Sequence, residues 1–142
     1  MFAIVDDEDY ARVSGFNWSA CKCNNNFYAI AVIDGKKVLL HRFILNAPSD
    51  RLVDHKDGKT LDNRKLNIRI ATYTENNRNR RANKKSLFKG VSKCSTGFKA
   101  RIRFNDQQIY LGFFKDPEQA ARVYDAAAIE LHGEFARLNF PA

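Results

Sequence analysis

Residues 53–78 hold a carboxylate beside an imidazole, Asp54-His55, and then two asparagines, Asn67 and Asn76. An imidazole with a pKa near ~6.5 can take a proton from water at neutral pH. One carboxylate plus one amide oxygen, with positions left for water, offers hard ligands to Mg²⁺ or to another hard divalent cation such as Mn²⁺. Hydrolysis of a phosphodiester needs both parts: a deprotonated water, and a cation to neutralise charge developing on phosphate and leaving oxygen. Asn67 is placed to hydrogen-bond backbone across the intervening loop and keep His55 aimed. An Asp-His dipeptide alone is common, so the pair by itself is a weak signal.

The elements that must position these groups can be read locally. Residues 51–55 form a short strand that ends at the turn pair Asp57-Gly58, and 61–67 is polar and irregular. Ile68-Arg69-Ile70-Ala71 alternates as a second strand would. Thr72-x-x-Glu75 has the form of a capping box, which puts Asn76 in the first turn of a helix. The order strand, loop, strand, helix can gather Asp54, His55 and Asn76.

Upstream lies a platform. Asp6-Asp7-Glu8-Asp9 precedes Tyr10-Ala11-Arg12-Val13, a short helix with acids at its positive end. Lys22–Asn26 reads as a hairpin turn, 27–33 as a strand, Asp34-Gly35 as a tight turn, and Val38-Leu39-Leu40 as the next strand. A small antiparallel sheet is expected, with Trp18 in its core. His41 and Arg42 end the apolar run; His41 reads as structural, and Arg42 as a partner for a phosphate or a surface carboxylate.

The 142 residues carry 24 Lys plus Arg against 16 Asp plus Glu, a formal charge of +8. The excess is concentrated in 78–103, where ten cations occur without an acid. That favours a polyanionic partner. Arg78, Arg80, Arg81, Lys84 and Lys85 lie where they would hold phosphates without reading sequence. No apolar run approaches the roughly 18 residues that would span a bilayer. No secretory leader is evident, so a cytoplasmic protein, not secreted, is expected. Cys21, Cys23 and Cys94 are an odd set with poor zinc spacing, so free thiols and no zinc are expected.

In the C-terminal part, 89–93 reads as a strand. Residues 98–104 alternate apolar and basic, sending Phe98, Ala100, Ile102 and Phe104 to one face and Lys99, Arg101 and Arg103 to the other. Asn105-Asp106 turns the chain and 108–114 returns. Asp116-Pro117 starts a helix whose apolar stripe is Ala120, Ala121, Tyr124, Ala127, Ala128 and Leu131, stopped by Gly133. The expected fold class is α+β, the C-terminal part being a three-stranded antiparallel sheet packed on one helix. Its outward basic face suits a major groove.

Two resemblances sharpen this reading. His41-Arg42, Val53-Asp54-His55-x-Asp57-Gly58, Leu61-Asp62-Asn63-Arg64, Asn67-Ile68-Arg69 and Asn76-x-x-Asn79 resemble the HNH nucleases of the ββα-metal fold, in the variant whose third motif residue is Asn. That resemblance covers residues 1–80 and is similar to phage-borne homing endonucleases. It implies His55 as general base, Asp54 and Asn76 as metal ligands, and Asn67 as the loop brace. Phe88-Lys89-Gly90-Val91, Ala100-x-Ile102-Arg103, Tyr110-Leu111-Gly112-x-Phe114, Ala120-Ala121-x-x-Tyr124-Asp125-x-Ala127-Ala128 and Leu138-Asn139-Phe140 resemble the AP2/ERF DNA-binding domain over 88–142. There Lys89, Arg101, Arg103 and Tyr110 fall where that family touches DNA. Ser92 and Gln108 stand where plant members carry Arg, and Arg101 replaces an acid, so the target sequence does not transfer.

The expected organisation is a nuclease domain (1–80), a basic linker (81–87) and a DNA-binding domain (88–142). The expected protein is a phage- or bacterium-encoded endonuclease of the homing type. It would nick double-stranded DNA with a divalent metal, as a monomer, with a dimer needed for paired cuts. The rival class is a non-catalytic DNA-binding regulator that keeps the nuclease fold as scaffold. An RNA-directed nuclease is disfavoured by the expected lack of exposed stacking aromatics on the basic sheet.

Overall fold

The structure, a computed structural model, describes residues 1–80, 82 and 86–141. They fall into two compact units, Met1–Asn76 and Asn77–Ala142.

In the first unit, α1 (Asp7–Val13) carries Asp7, Glu8 and Asp9 in its first turn, where the helix dipole favours acids. Asp6 occupies the N-cap position but makes no side-chain cap; its carboxylate instead accepts the backbone N–H of Lys65 at 2.7 Å. Strands β1 (Ser19–Cys23), β2 (Asn26–Ile33) and β3 (Lys36–Leu39) form an antiparallel meander in that order. Asp34 and Gly35 both have positive φ, the geometry of a two-residue hairpin whose twist matches its strands. Trp18 packs against the core and donates its indole N–H to the Val13 carbonyl at 2.8 Å.

The expected strand through Leu40 ends one residue earlier. Leu40 opens α2 (Leu40–Leu45), closed by Asn46 in the left-handed conformation. Six residues are too few for an amphipathic period to show in sequence. Arg42 serves this helix, donating to the carbonyls of Arg51 (2.7 Å), Ala47 (3.2 Å) and Pro48 (2.6 Å). It therefore caps the loop into the next strand, and neither a phosphate nor a carboxylate role is needed to explain it. Val13, Ala29, Leu40, Ile44 and Ile68 form the core, tying α1, β2 and α2 to the hairpin that follows.

That hairpin is β4 (Leu52–His55) and β5 (Ile68–Ala71), paired antiparallel with His55 opposite Ile68 and Asp54 opposite Arg69. The capping box forms as expected. The Thr72 N–H donates to the Glu75 carboxylate at 2.7 Å, and the Glu75 N–H donates to Thr72 Oγ1 at 3.2 Å. It starts α3 (Tyr73–Arg78), which carries Asn76.

In the second unit, β6 (Val91–Cys94), β7 (Gly97–Phe104) and β8 (Gln107–Phe114) form an antiparallel sheet against α4 (Pro117–His132). The strand expected over 89–93 starts later because Lys89 and Gly90 form a turn. Gly90 is obligatory there: its φ is +76°, and a Cβ would lie 1.9 Å from the Tyr124 ring. Asp116 caps α4 by accepting the N–H groups of Glu118 and Gln119. A bulge between Ala100 and Arg101 in the β7–β8 pairing leaves Leu111 packed against the core. Asp125 accepts the backbone N–H groups of Asn139 and Phe140, which fixes the C-terminal segment on α4. The α+β class holds, with small antiparallel sheets and a three-stranded sheet on a helix. No helix among the described residues is long and apolar enough to cross a membrane.

Candidate nuclease site and nucleic-acid face

His55 sits at the end of β4 and is buried. Its ring meets His41 edge-on at 5.1 Å between centroids and Tyr28 at 6.3 Å. Burial lowers its pKa from the ordinary value, against the opposing pull of the Asn63 hydrogen bond and the carboxylates of Asp54, Asp57 and Asp62. His41, buried behind it, is driven down to about 3 by burial, then by His55 and Arg42. Both rings are therefore neutral at pH 7. A neutral imidazole can accept a proton.

Among the described residues, Asn63 places its Oδ1 3.3 Å from Nε2 of His55. Asn67, expected to hydrogen-bond backbone across the loop, does so. Its Nδ2 donates to the Asp62 carbonyl at 2.8 Å, its Oδ1 accepts the Asp57 N–H at 3.1 Å, and its own carbonyl accepts the Lys56 N–H at 2.8 Å. Asn63 could have been found in the sequence as a second amide in the polar loop. Nothing local marks it as facing the imidazole.

Asp54 is buried beside Arg69, which donates to one carboxylate oxygen through Nε (2.9 Å) and Nη2 (2.7 Å). The strand register explains this pair, since the two residues are directly opposed. Asn76 is half-buried in α3. An Asp carboxylate and an Asn amide oxygen, as Asp54 and Asn76 carry, are the kinds of donor that could hold a hard divalent cation that keeps part of its water shell. A trio of acids, Asp6, Glu8 and Asp9, also lies close together, with the Lys65 ammonium 2.5 Å from Glu8 and 3.2 Å from Asp9.

On the second unit, the pairing sets Lys99 opposite Phe113, Arg101 opposite Tyr110 and Arg103 opposite Gln108. These residues share the face away from Ala100 and Ile102, which are buried under α4. Tyr110 and Phe113 are 57% and 41% exposed, so aromatics do lie among the cations, contrary to expectation. The bulge re-aims β8, an effect that strict alternation does not reveal. Lys89 is placed differently from the sheet cations. Its ammonium donates to the Arg78 carbonyl, it is half-buried, and burial followed by repulsion from Arg137 and Arg80 lowers its pKa to about 8. Arg78 stacks over Phe104 at 5.4 Å, and Arg80 is exposed. Arg81, Lys84 and Lys85 lie outside the described residues.

A buried neutral imidazole and a carboxylate on one β-hairpin followed by a capped helix, joined to a basic sheet-and-helix module, define a two-module protein of the nuclease class. Comparison with known proteins agrees. The chain is 36% identical over 145 residues to an uncharacterized HNH endonuclease of Acanthamoeba polyphaga mimivirus, covering 97% of this chain and 74% of that protein. It belongs to the HNH endonuclease family. The ethylene-responsive transcription factor ERF069 of Arabidopsis thaliana is 37% identical over 95 residues, or 63% of this chain and 59% of its own length. Ethylene-responsive transcription factor 3 of Nicotiana tabacum is 46% identical over 61 residues, 41% of this chain and 27% of that protein. No family model and no solved structure matches the chain.

Proposed function

We propose that this chain is a metal-dependent endonuclease that docks on duplex DNA through its second module and hydrolyses a phosphodiester beside His55. The observation that carries the reading is the buried His55 imidazole, neutral at pH 7, in contact with Asn63 and next to Asp54 on the same strand. His55 takes a proton from water as the oxygen attacks phosphorus. A divalent cation, Mg²⁺ or Mn²⁺, bound by Asp54 and Asn76 would supply charge neutralisation at the phosphate and leaving oxygen. Arg69 holds the Asp54 carboxylate in place. Lys99, Arg101, Arg103 and Tyr110 face the DNA, and tethering raises the local concentration of the nuclease at its site. One imidazole–carboxylate set per chain makes a nick the product of a monomer. A homing-type role on a phage, viral or other mobile element is the biological setting that accords with the motif and with a viral relative.

The second reading is a DNA-binding regulator that keeps the nuclease fold as scaffold. It is favoured by the transcription-factor names of the plant relatives and by the guanidinium already engaging Asp54. Supercoiled plasmid incubated with Mg²⁺, Mn²⁺ or EDTA, beside His55→Ala, separates the two. Metal-dependent nicks that vanish in the variant support the endonuclease. Gel shifts by both proteins with no cutting of a genomic-DNA library support the regulator.

A further inference from the structure

Asn63 is only 1% exposed and is among the largest fully buried side chains of the protein. A buried amide is costly unless its donors and acceptors are met, and an apolar residue of similar size would fill the same space more cheaply. Here both ends of the amide are engaged. Nδ2 donates to the Leu61 carbonyl at 3.1 Å, and Oδ1 lies 3.3 Å from His55 Nε2. The first contact decides the second: a carbonyl can only accept, so the end facing Leu61 is the NH₂ and the end facing His55 is the oxygen. An amide oxygen also can only accept, so Nε2 of His55 carries the proton and the basic lone pair falls on Nδ1.

The loop that holds Asn63 is itself strapped by the start of the chain. The Asn63 N–H donates to the Ile4 carbonyl at 2.7 Å, and the Ile4 N–H donates to the Leu61 carbonyl at 2.8 Å. Two residues further on, Lys65 is bound through its backbone to Asp6 and through its ammonium to Glu8 and Asp9. Residues 4–9 thus fix the height of the loop, and with it the amide, against the imidazole.

We propose that Asn63, held by the strap of residues 4–9, is a positioning residue that fixes the tautomer and orientation of His55, making Nδ1 the atom that receives the proton. The inference rests on the reading of His55 as the base, but its first test does not need activity. The full chain with ¹⁵N-labelled histidine, free of metal, is examined by long-range ¹H–¹⁵N spectra, with His55 assigned by its loss in His55→Gln. The expected spectrum has an imine-type Nδ1 and a protonated Nε2. Folded Asn63→Leu should give mixed tautomers and lower kcat about ten- to a hundredfold at unchanged KM, because the residue touches no substrate. Asn63→Asp, which keeps an acceptor, should restore the wild-type tautomer and part of kcat. A protonated Nδ1 in the wild type overturns the proposal even if Asn63→Leu does not fold, as does an unchanged tautomer in folded Asn63→Leu. Tautomers that respond as expected in a protein that cuts no DNA would sink the nuclease reading and leave the positioning role standing.

Discussion

The Asp54–Arg69 pair offers the sharpest quantitative test of how this site is built. Both side chains are nearly withdrawn from water, 6% and 10% exposed, and Arg69 Nε and Nη2 both donate to the same carboxylate oxygen. Removing one partner of such a pair leaves the other charge in a poorly solvated place, at a cost of about 3–5 kcal/mol. Arg69→Met keeps most of the side-chain volume while deleting the charge. In a unit of this size each kcal/mol moves the melting midpoint by about 4–8 °C, so a fall of at least about 12 °C is expected for the first unit. Asp54→Asn in the same background should recover most of that loss, because the surviving amide is uncharged. Divalent cation should stabilise Arg69→Met more than wild type, since in the variant the carboxylate no longer exchanges one cation for another. Thermal and urea unfolding of the wild type, Arg69→Met, Asp54→Asn and the double variant, with and without Mg²⁺, measures all of this. Losses for the two single variants that simply add in the double would show that the carboxylate does not depend on the guanidinium, and would refute the pairing as the device that holds Asp54.

Other expectations follow from particular residues. His41 stays neutral in the folded protein down to about pH 3, whereas the unfolded chain protonates it near ~6.5. The unfolded state then binds more protons across that window, so stability falls as pH drops, by about 2 kcal/mol at pH 5; His41→Leu should flatten part of that slope in urea titrations, the rest coming from His55. Arg101→Ala and Arg103→Ala should each weaken duplex binding and reduce the salt slope by about one, whereas Lys89→Met should leave the slope unchanged because its ammonium is engaged by a backbone carbonyl. A normal salt slope for the two arginine variants would remove them from the interface. Gly90→Ala combines a left-handed backbone with a clash against Tyr124, and should cost the second unit about 2 kcal/mol or more in thermal melts. A wild-type midpoint would mean that the turn can relax.

Much of the local structure was legible in the sequence because it rests on local rules. The capping box of Thr72 and Glu75, the Asp116-Pro117 helix start and the period-two alternation of 98–104 depend on neighbouring residues and fold as expected. The carboxylate–imidazole pair and the two spaced asparagines were visible for the same reason, since their types and order are written in the chain. What required tertiary structure was which side chain meets which. Arg69 faces Asp54 only because of the register of two strands joined by a twelve-residue connection (56–67), and nothing local sets that register. Asn63 reaches the imidazole in a loop that a segment near the start of the chain straps from outside, a contact that nothing local announces. Lys89 sits in a turn and donates to the Arg78 carbonyl, while Gly90 beside it lies against Tyr124, more than thirty residues away; no local pattern announces either contact. Residue types and spacing determined what chemistry this protein could attempt; long-range packing decided which side chains meet, Asn63 with His55 and Arg69 with Asp54.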